Sequence, residues 1–241
     1  MAENRFTLRT AQMTGVQASA AQVDEGLRTY MLKVYNYMSI ALGLTGVVAY
    51  TSSTSQSLMS AIYGTPLQWV VMLAPLGLVF FLSAKISTMK AQTAQMVFWV
   101  YAGLMGLSLS YIFMVYTGAS ITRVFFITSG AFAGLSLYGY TTKRDLSGMK
   151  SFLVMGVIGL MIAMVVNIFL ESSAMQFVIS VLGVLIFAGL TAYDTQQIKS
   201  IYMKSDGSET HEKKAIMGAL RLYLDFLNMF LFMLHLFGNR E

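Results

Sequence analysis

LYLDFLNMFLFMLHLFGNR, residues 222–240, is the stretch that decides the fold of this chain. It is apolar over the length of a membrane helix, yet it contains Asp225. A second apolar segment ends in GLTAYDTQQIKS, residues 189–200, and contains Asp194. A carboxylate in a low-dielectric interior needs a cation, a proton or a hydrogen-bond donor, so both aspartates are candidates for a functional site.

The composition around these segments is that of a membrane protein. Apolar residues make up 56% of the 241 residues and charged residues only 11%, whereas charged residues make up about 25% of a soluble domain. Cysteine is absent, so there is no disulfide framework and no thiolate metal site. The basic residues are spread through short loops, which argues against a nucleic-acid partner and leaves the lipid bilayer as the expected surrounding.

Seven apolar runs predict an all-α membrane protein with seven transmembrane helices. A run of about 20 residues spans the ~30 Å hydrocarbon core. The runs are residues 32–50, 66–84, 95–116, 121–140, 151–170, 175–198 and 216–237. Residues 51–64 are interpreted as a polar connection, and Gly130 and Gly134 have a spacing that favours close helix approach.

We expect a polar tail over residues 1–30, followed by one transmembrane domain over residues 31–241. The tail lacks the apolar core of a cleaved signal peptide. All but two of the sixteen Lys and Arg residues fall on the side of the N-terminus, and the exceptions are Arg123 and Arg240. This asymmetry predicts a cytoplasmic N-terminus and a C-terminus on the outer side.

The two aspartates are predicted to lie at the same depth. Asp194 precedes Lys199 by five residues, or ~7.5 Å along a helix, and Asp225 follows Arg221 by four residues, or ~6 Å. Two carboxylates close together cannot both ionise without a large electrostatic cost, so such a pair should hold a proton over part of the physiological pH range. The pair could also bind Ca²⁺ weakly, since two carboxylates fall short of the six to eight oxygens of a tight site. No other cofactor is expected.

A second interpretation makes these carboxylates structural. Arg221 lies one turn from Asp225, while Lys199 and the hydroxyl of Thr191 lie near Asp194, and such partners would neutralise both charges. The two interpretations overlap, because an Arg221 that can hold either carboxylate would act as a latch.

Other polar residues in apolar runs give weaker signals. Asn167, Asn228 and Glu171 could line a polar path, although hydrogen bonding between helices is at least as ordinary for the two asparagines. His235 lies near the end of the last run, where a histidine at the level of the lipid headgroups is common. The chain has no P-loop, nucleophile elbow or zinc-peptidase motif, so we expect no enzymatic activity.

Four separated motifs carry a resemblance to a known family. They are SLSYIFMVYTGASI (108–121), SLYGYTTKRDLSG (136–148), GLTAYDTQQIK (189–199) and LYLDFLNMFLFMLHLFGNR (222–240). In this order they resemble the bacterial branch of the Bax inhibitor-1 family, the transmembrane Bax inhibitor motif proteins, and the similarity covers residues 26–240.

The resemblance implies a central seventh helix surrounded by the other six, and a pH-controlled calcium leak in the inner membrane. Asp194 and Asp225 match the family's paired-aspartate sensor, and Lys85 is the candidate for a supporting basic residue on the second helix. Two alternatives also follow. The protein could act as a membrane interaction protein that modulates a membrane-bound quality-control protease or a stress response, or as a proton-coupled transporter of another cation.

Overall fold

Within residues 3–240 the chain forms nine α-helices, seven of which belong to segments that are long and apolar enough to cross a membrane. The computed structural model describes the backbone of residues 3–240 and the side chains of residues 25–240. The helices are α1 (Glu3–Ser53), α2 (Gln56–Tyr63), α3 (Leu67–Lys85), α4 (Ala91–Leu109), α5 (Ile112–Val115), α6 (Gly118–Thr141), α7 (Lys150–Leu170), α8 (Ser173–Ser200) and α9 (Ser208–Phe237). A 3-10 turn at Ser147–Met149 leads into α7.

The seven spans correspond to the seven apolar runs of the sequence. They are α1 from Glu25 onward, α3, α4 together with α5, α6, α7 with its preceding turn, α8 and α9. Each contains 19 to 30 residues, which suits the ~30 Å hydrocarbon core at a rise of ~1.5 Å per residue. The prediction of an all-α membrane protein with seven transmembrane helices is therefore confirmed.

Two helical segments lie where the sequence indicated loops. The polar connection after α1 contains α2, which is capped by the Ser55 hydroxyl and buries Met59 and Ile62. This apolar face of one turn is too short to stand out in a hydropathy pattern. The last helix begins at Ser208 instead of near Ile216.

Glu212 explains the early start of α9. Its carboxylate pairs with Lys33 and accepts a hydrogen bond from the Tyr37 hydroxyl, and both partners lie on α1. One turn of helix therefore docks on α1 through charged groups, and an apolar pattern cannot reveal it. In the turn before α9, Lys214, in the second turn of α9, reaches back to pair with Asp206 in the loop before the helix.

The last helix is the centre of the bundle. In its most apolar window 67% of the residues are buried, whereas the corresponding share in the other six spans is 11–39%. It packs directly on α8, α1, α6 and α4. The two remaining spans lie further out, since α3 packs mainly on α4 and α7 mainly on α8.

Close helix approach occurs at glycines other than those expected. A Cβ atom at Gly130 or Gly134 would meet no atom within 4 Å, so the prediction that these two residues bring helices together is wrong. A Cβ atom at Gly139 would overlap the backbone carbonyl of Ala192 on α8, and one at Gly106 would overlap α1. Spacing alone indicated which residue type makes such contacts, but which face of α6 meets a neighbour depends on the whole bundle.

Candidate functional site

The two aspartates lie on helices that are direct neighbours. Of all the helix pairs in the described chain, α8 and α9 share the most extensive contact. Asp194 lies near the C-terminal end of α8 and Asp225 lies just past the middle of the antiparallel α9. Asp194 and Arg221 are the charged groups that act electrostatically on Asp225. The expectation that both carboxylates lie at one level therefore agrees with the structure.

Asp225 is the more enclosed of the two carboxylates. Only 4% of its surface is exposed, and its Oδ2 atom has no hydrogen-bond partner among the described residues. The side chain of Asp194 is 15% exposed. Burial of a polar atom without a partner costs about 1–3 kcal/mol, and burial of an unpaired charge costs more. Asp225 therefore carries the larger electrostatic cost of the pair.

Arg221 is the cation beside the pair. Its Nη1 atom lies 4.0 Å from Oδ1 of Asp194, which is longer than a hydrogen bond of 2.7–3.2 Å. The Arg221 side chain is 53% exposed, so the protein does not enclose this ion pair. The expected pairing within α9, between Arg221 and Asp225, does not come within ion-pair distance in the described residues, and the guanidinium instead faces the neighbouring helix.

The other expected partners of Asp194 are engaged elsewhere. Lys199 donates to the backbone carbonyl of Tyr140 at 2.8 Å and lies 4.9 Å from the centre of the Tyr140 ring. The Thr191 hydroxyl donates within its own helix, to the carbonyl of Phe187 at 2.8 Å. Of the expected cations within the described residues, only Arg221 thus remains beside the two carboxylates.

A chain of hydroxyls reaches α8 beside the pair. The hydroxyls of Tyr35 on α1 and Ser136 on α6 lie 2.6 Å apart, and that of Ser136 lies 2.9 Å from the hydroxyl of Thr195. Sequence reasoning missed this chain because a single Tyr or Ser in an apolar run is ordinary. Only the position of Thr195, directly after Asp194, was a signal.

Lys85 lies apart from the pair. It is exposed at the C-terminal end of α3. Because α3 packs mainly on α4 and α2, Lys85 belongs to a helix outside the α8–α9 contact.

The three remaining candidate residues fall into two places. Asn228 is half-buried on α9, one turn beyond Asp225, and its amide donates to the carbonyl of Leu224 at 2.8 Å. Asn167 lies at the opposite end of the bundle, where its amide donates to Gln176 at 3.2 Å across the α7–α8 turn. Glu171 is exposed in that turn, in the left-handed backbone conformation with φ 48°.

The α7–α8 turn borders a polar cavity of about 400 Å³. Its lining includes Asn167, Glu171, Gln176, Ser180, His235 and Arg240. This cavity lies at the end of α8 and α9 that is far from the aspartates. The sequence singled out Glu171 and His235 separately, but only the fold brings them to one place.

A larger groove of about 1070 Å³ lies between α1 and α6 and has α9 as its floor. Its wall is mainly apolar and includes Phe125, Phe132 and Phe230. Neither aspartate lines it, so this groove is separate from the carboxylate pair.

Metal binding at the pair is limited by the number of ligands. Among the described residues, no group of three or more His, Cys, Asp or Glu side chains is arranged to hold a metal ion. Two carboxylates could contribute to a hydrated, passing cation such as Ca²⁺, whose tight sites use six to eight oxygens.

Known proteins match this chain over nearly its full length. The family described as "Inhibitor of apoptosis-promoting Bax1" matches residues 27–241. A protein of Rickettsia prowazekii is 51% identical over 218 residues, which is 90% of this chain and 92% of that protein. The inner membrane protein YbhL of Escherichia coli is 45% identical over 226 residues, covering 92% and 97% of the two chains. A protein of Caulobacter vibrioides is 44% identical over 249 residues, covering 99% and 100%.

Proposed function

The chain belongs to the Bax inhibitor-1 family of membrane proteins, and we propose that it is a pH-sensitive calcium leak channel in which Asp194 and Asp225 form the proton sensor. The family is linked to ion leak across membranes. The relative in Escherichia coli is an inner membrane protein by name, and we propose the same location here.

The observation that carries this proposal is the imbalance of charge between α8 and α9. Asp194 and Asp225 lie on the two helices that share the most extensive contact of the described chain, and the exposed guanidinium of Arg221, 4.0 Å from Asp194, is the cation beside them. Asp225 forms no ion pair with any side chain in the described part of the chain, so the second negative charge is left without a partner there. A proton or a passing cation must supply the missing positive charge, so the occupancy of the site depends on both pH and Ca²⁺.

Protonation changes the contact between the two helices in two opposing ways. A proton on Asp194 removes the attraction between Asp194 and Arg221, which loosens α8 against α9. A proton on Asp225 removes the repulsion between the carboxylates, which tightens the same contact. Either event biases one helix pair between two arrangements, and this is what a switch requires.

Calcium is the cation that best suits the proposal. It is a hard ion that prefers carboxylate, carbonyl and hydroxyl oxygens, and the inner half of the α8–α9 contact offers the carboxylates together with the side chain of Asn228. A site with few ligands binds weakly and releases its ion quickly, which is appropriate for a leak.

Calcium flux into liposomes that contain the purified protein tests the proposal. We expect flux in the wild type to change with pH, and Asp194→Asn to shift that profile because Arg221 then has only Asp225 to face. Asp145→Asn is the matched control, since Asp145 lies in the exposed α6–α7 loop. If Asp194→Asn and wild type give the same pH profile, the pair is not the sensor. If the wild type shows no flux at any pH, the protein is not a calcium leak, and the role of a membrane interaction protein is favoured.

The proposed topology has the N-terminus in the cytoplasm, on the side where most Lys and Arg residues lie. A C-terminal reporter that is active only in the cytoplasm should then be silent. An active reporter would reverse the orientation without changing the sensor.

A further inference from the structure

Two stripes of residues run along the facing sides of α8 and α9. Their members recur every three or four positions, which places each stripe on one side of its helix. The α8 stripe consists of Gln176, Ser180, Gly183, Phe187, Thr191 and Asp194, and the α9 stripe consists of Asp225, Asn228, Phe232 and His235.

Contacts at three levels show that the stripes face each other. At one end Asp194 of α8 pairs with Arg221 of α9, next to Asp225. In the middle the ring of Phe232 packs against Gly183. At the other end Gln176 and His235 line the same polar cavity.

Polar residues occupy both ends of the stripes. At the end near the α7–α8 turn, the buried Ser180 hydroxyl donates to the Gln176 carbonyl at 2.8 Å. At the other end are the aspartates, with Thr191 and Asn228 beside them. By helical rise, Phe187 lies ~10 Å from Asp194 and ~16 Å from Gln176.

The middle level is aromatic and closed. The rings of Phe187 and Phe232 stack with their centroids 5.9 Å apart and an angle of 28° between their planes. Phe232 is 7% exposed and packs in one cluster with Leu160 and Ile179. A short apolar layer thus separates two polar regions along one helix contact.

Gly183 provides the space for this layer. A Cβ atom at this position would lie 2.5–2.7 Å from three atoms of the Phe232 ring, a distance that side chains do not adopt. Any larger residue would displace Phe232 from its present position.

We propose that Phe187 and Phe232 form the barrier to ions along the route between α8 and α9, and that Gly183 holds Phe232 in the closed position. A hydrophobic constriction blocks ions by excluding water, while the polar residues on both sides hydrate the ion up to the barrier. The inference rests on the proposed function in that it assigns the ion route to the helix contact that carries the carboxylates. Movement of α8 against α9 would separate the two rings and open the route.

Thiol labelling tests the barrier without calcium, because the natural chain contains no cysteine. A membrane-impermeant methanethiosulfonate reagent is added on the side that labels Ser173→Cys, at the exposed start of α8 and in the polar cavity. We expect Asn228→Cys, beyond the barrier, to react slowly from that side. In the Phe232→Ala background its labelling rate should rise roughly two- to tenfold, as the loss of one aromatic pair implies.

Matched variants separate the barrier from general loosening of the bundle. Phe177→Ala removes an exposed aromatic side chain from α8 and should leave the labelling of Asn228→Cys unchanged. Gly183→Ala should raise labelling as Phe232→Ala does, whereas Gly159→Ala, where a Cβ atom meets nothing within 4 Å, should not. Phe232→Leu keeps an apolar side chain and is the variant to use if Phe232→Ala does not fold.

Two labelling results would overturn the barrier. One is fast labelling of Asn228→Cys from the Ser173 side in the otherwise natural protein. The other is a labelling rate that stays the same in the Phe232 variant and in Gly183→Ala. The Phe232 variant is Phe232→Ala, or Phe232→Leu in its place. If the wild type shows no calcium flux but Phe232→Ala raises the labelling rate of Asn228→Cys, the calcium leak is refuted and the barrier stands. If calcium flux depends on pH but is unchanged when the Phe232 ring is removed, the barrier is refuted and the calcium leak stands.

Discussion

Replacing Asp225 with Asn should abolish most of the pH dependence of calcium flux. Asp225 is 4% exposed and its Oδ2 atom lacks a hydrogen-bond partner within residues 25–240, so its charge is the less compensated of the two carboxylates. An amide has nearly the same shape and cannot ionise. In the variant, Asp194 keeps Arg221 as its counter-ion, 4.0 Å away, and no second carboxylate competes for that cation.

The expected magnitude follows from the number of protons and from the exposure of Arg221. One coupled proton changes an equilibrium by at most tenfold per pH unit, or about 1.4 kcal/mol. The wild-type profile can therefore reach roughly tenfold per pH unit. In Asp225→Asn, the remaining change of flux with pH should not exceed the contribution of the ion pair between Asp194 and Arg221. An exposed ion pair contributes about 0.2–1 kcal/mol, which corresponds to roughly 1.5- to 5-fold.

The assay is calcium flux into liposomes at a series of pH values, with Asp145→Asn as the matched control. The direction of the wild-type response identifies the contact that controls it. With Asp225 as the sensor, flux should rise in alkali, where repulsion between the carboxylates loosens the contact. Flux that rises in acid would indicate release of Asp194 from Arg221 and would make Asp194 the controlling group. A thermal unfolding curve in detergent should show that Asp225→Asn is at least as stable as the wild type at high pH, because it removes a buried charge. A slope in Asp225→Asn equal to that of the wild type would refute the assignment of Asp225 as sensor.

Three further predictions concern the residues around the pair. Arg221→Gln should change flux at any one pH by only about 1.5- to 5-fold, since the guanidinium is half exposed and its ion pair is long, at 4.0 Å. A change of two orders of magnitude in the liposome assay would mean that Arg221 is a tight latch. Gly139→Ala should lower the stability of the fold by about 1–3 kcal/mol through overpacking against α8. Gly134→Ala, on the same helix in open space, should instead stabilise the fold by up to about 1 kcal/mol. Equal melting temperatures of the two variants in detergent would contradict this. The Ser147 backbone N–H donates to Asp145 and lowers the pKa of that carboxyl. The stability that this hydrogen bond gives the loop is therefore complete above the ordinary pKa of Asp and is lost only as pH falls through the lowered value. Asp145→Asn should therefore leave the flux profile near neutral pH unchanged, and an NMR titration should place the midpoint of Asp145 below about 3.9.

Much of the site followed from the sequence because charge in an apolar run is conspicuous. Asp194 and Asp225 stand out as acids in segments that otherwise suit lipid, and their spacing from Lys199 and Arg221 placed them at one depth. Helical rise is a local property, so depth can be counted along each helix without knowledge of its neighbours.

The partners of these acids did not follow, because they depend on which sides of the helices meet. Lys199 is near Asp194 in sequence but binds Tyr140 of α6. Arg221 is one turn from Asp225 but faces Asp194 of α8. Each long basic side chain can reach several groups, and helix packing selects among them.

The sequence by itself determined that this protein has seven membrane-spanning helices with two acids at one depth, and that it resembles the family to which it belongs. Hydropathy and helical rise are sums over neighbouring residues, so they can be read from a single chain. Tertiary structure alone decided the close approach at Gly139 instead of Gly134 and the aromatic layer between the polar cavity and the carboxylates. Those features depend on the rotation and contact of one helix against another, which packing over the whole bundle sets.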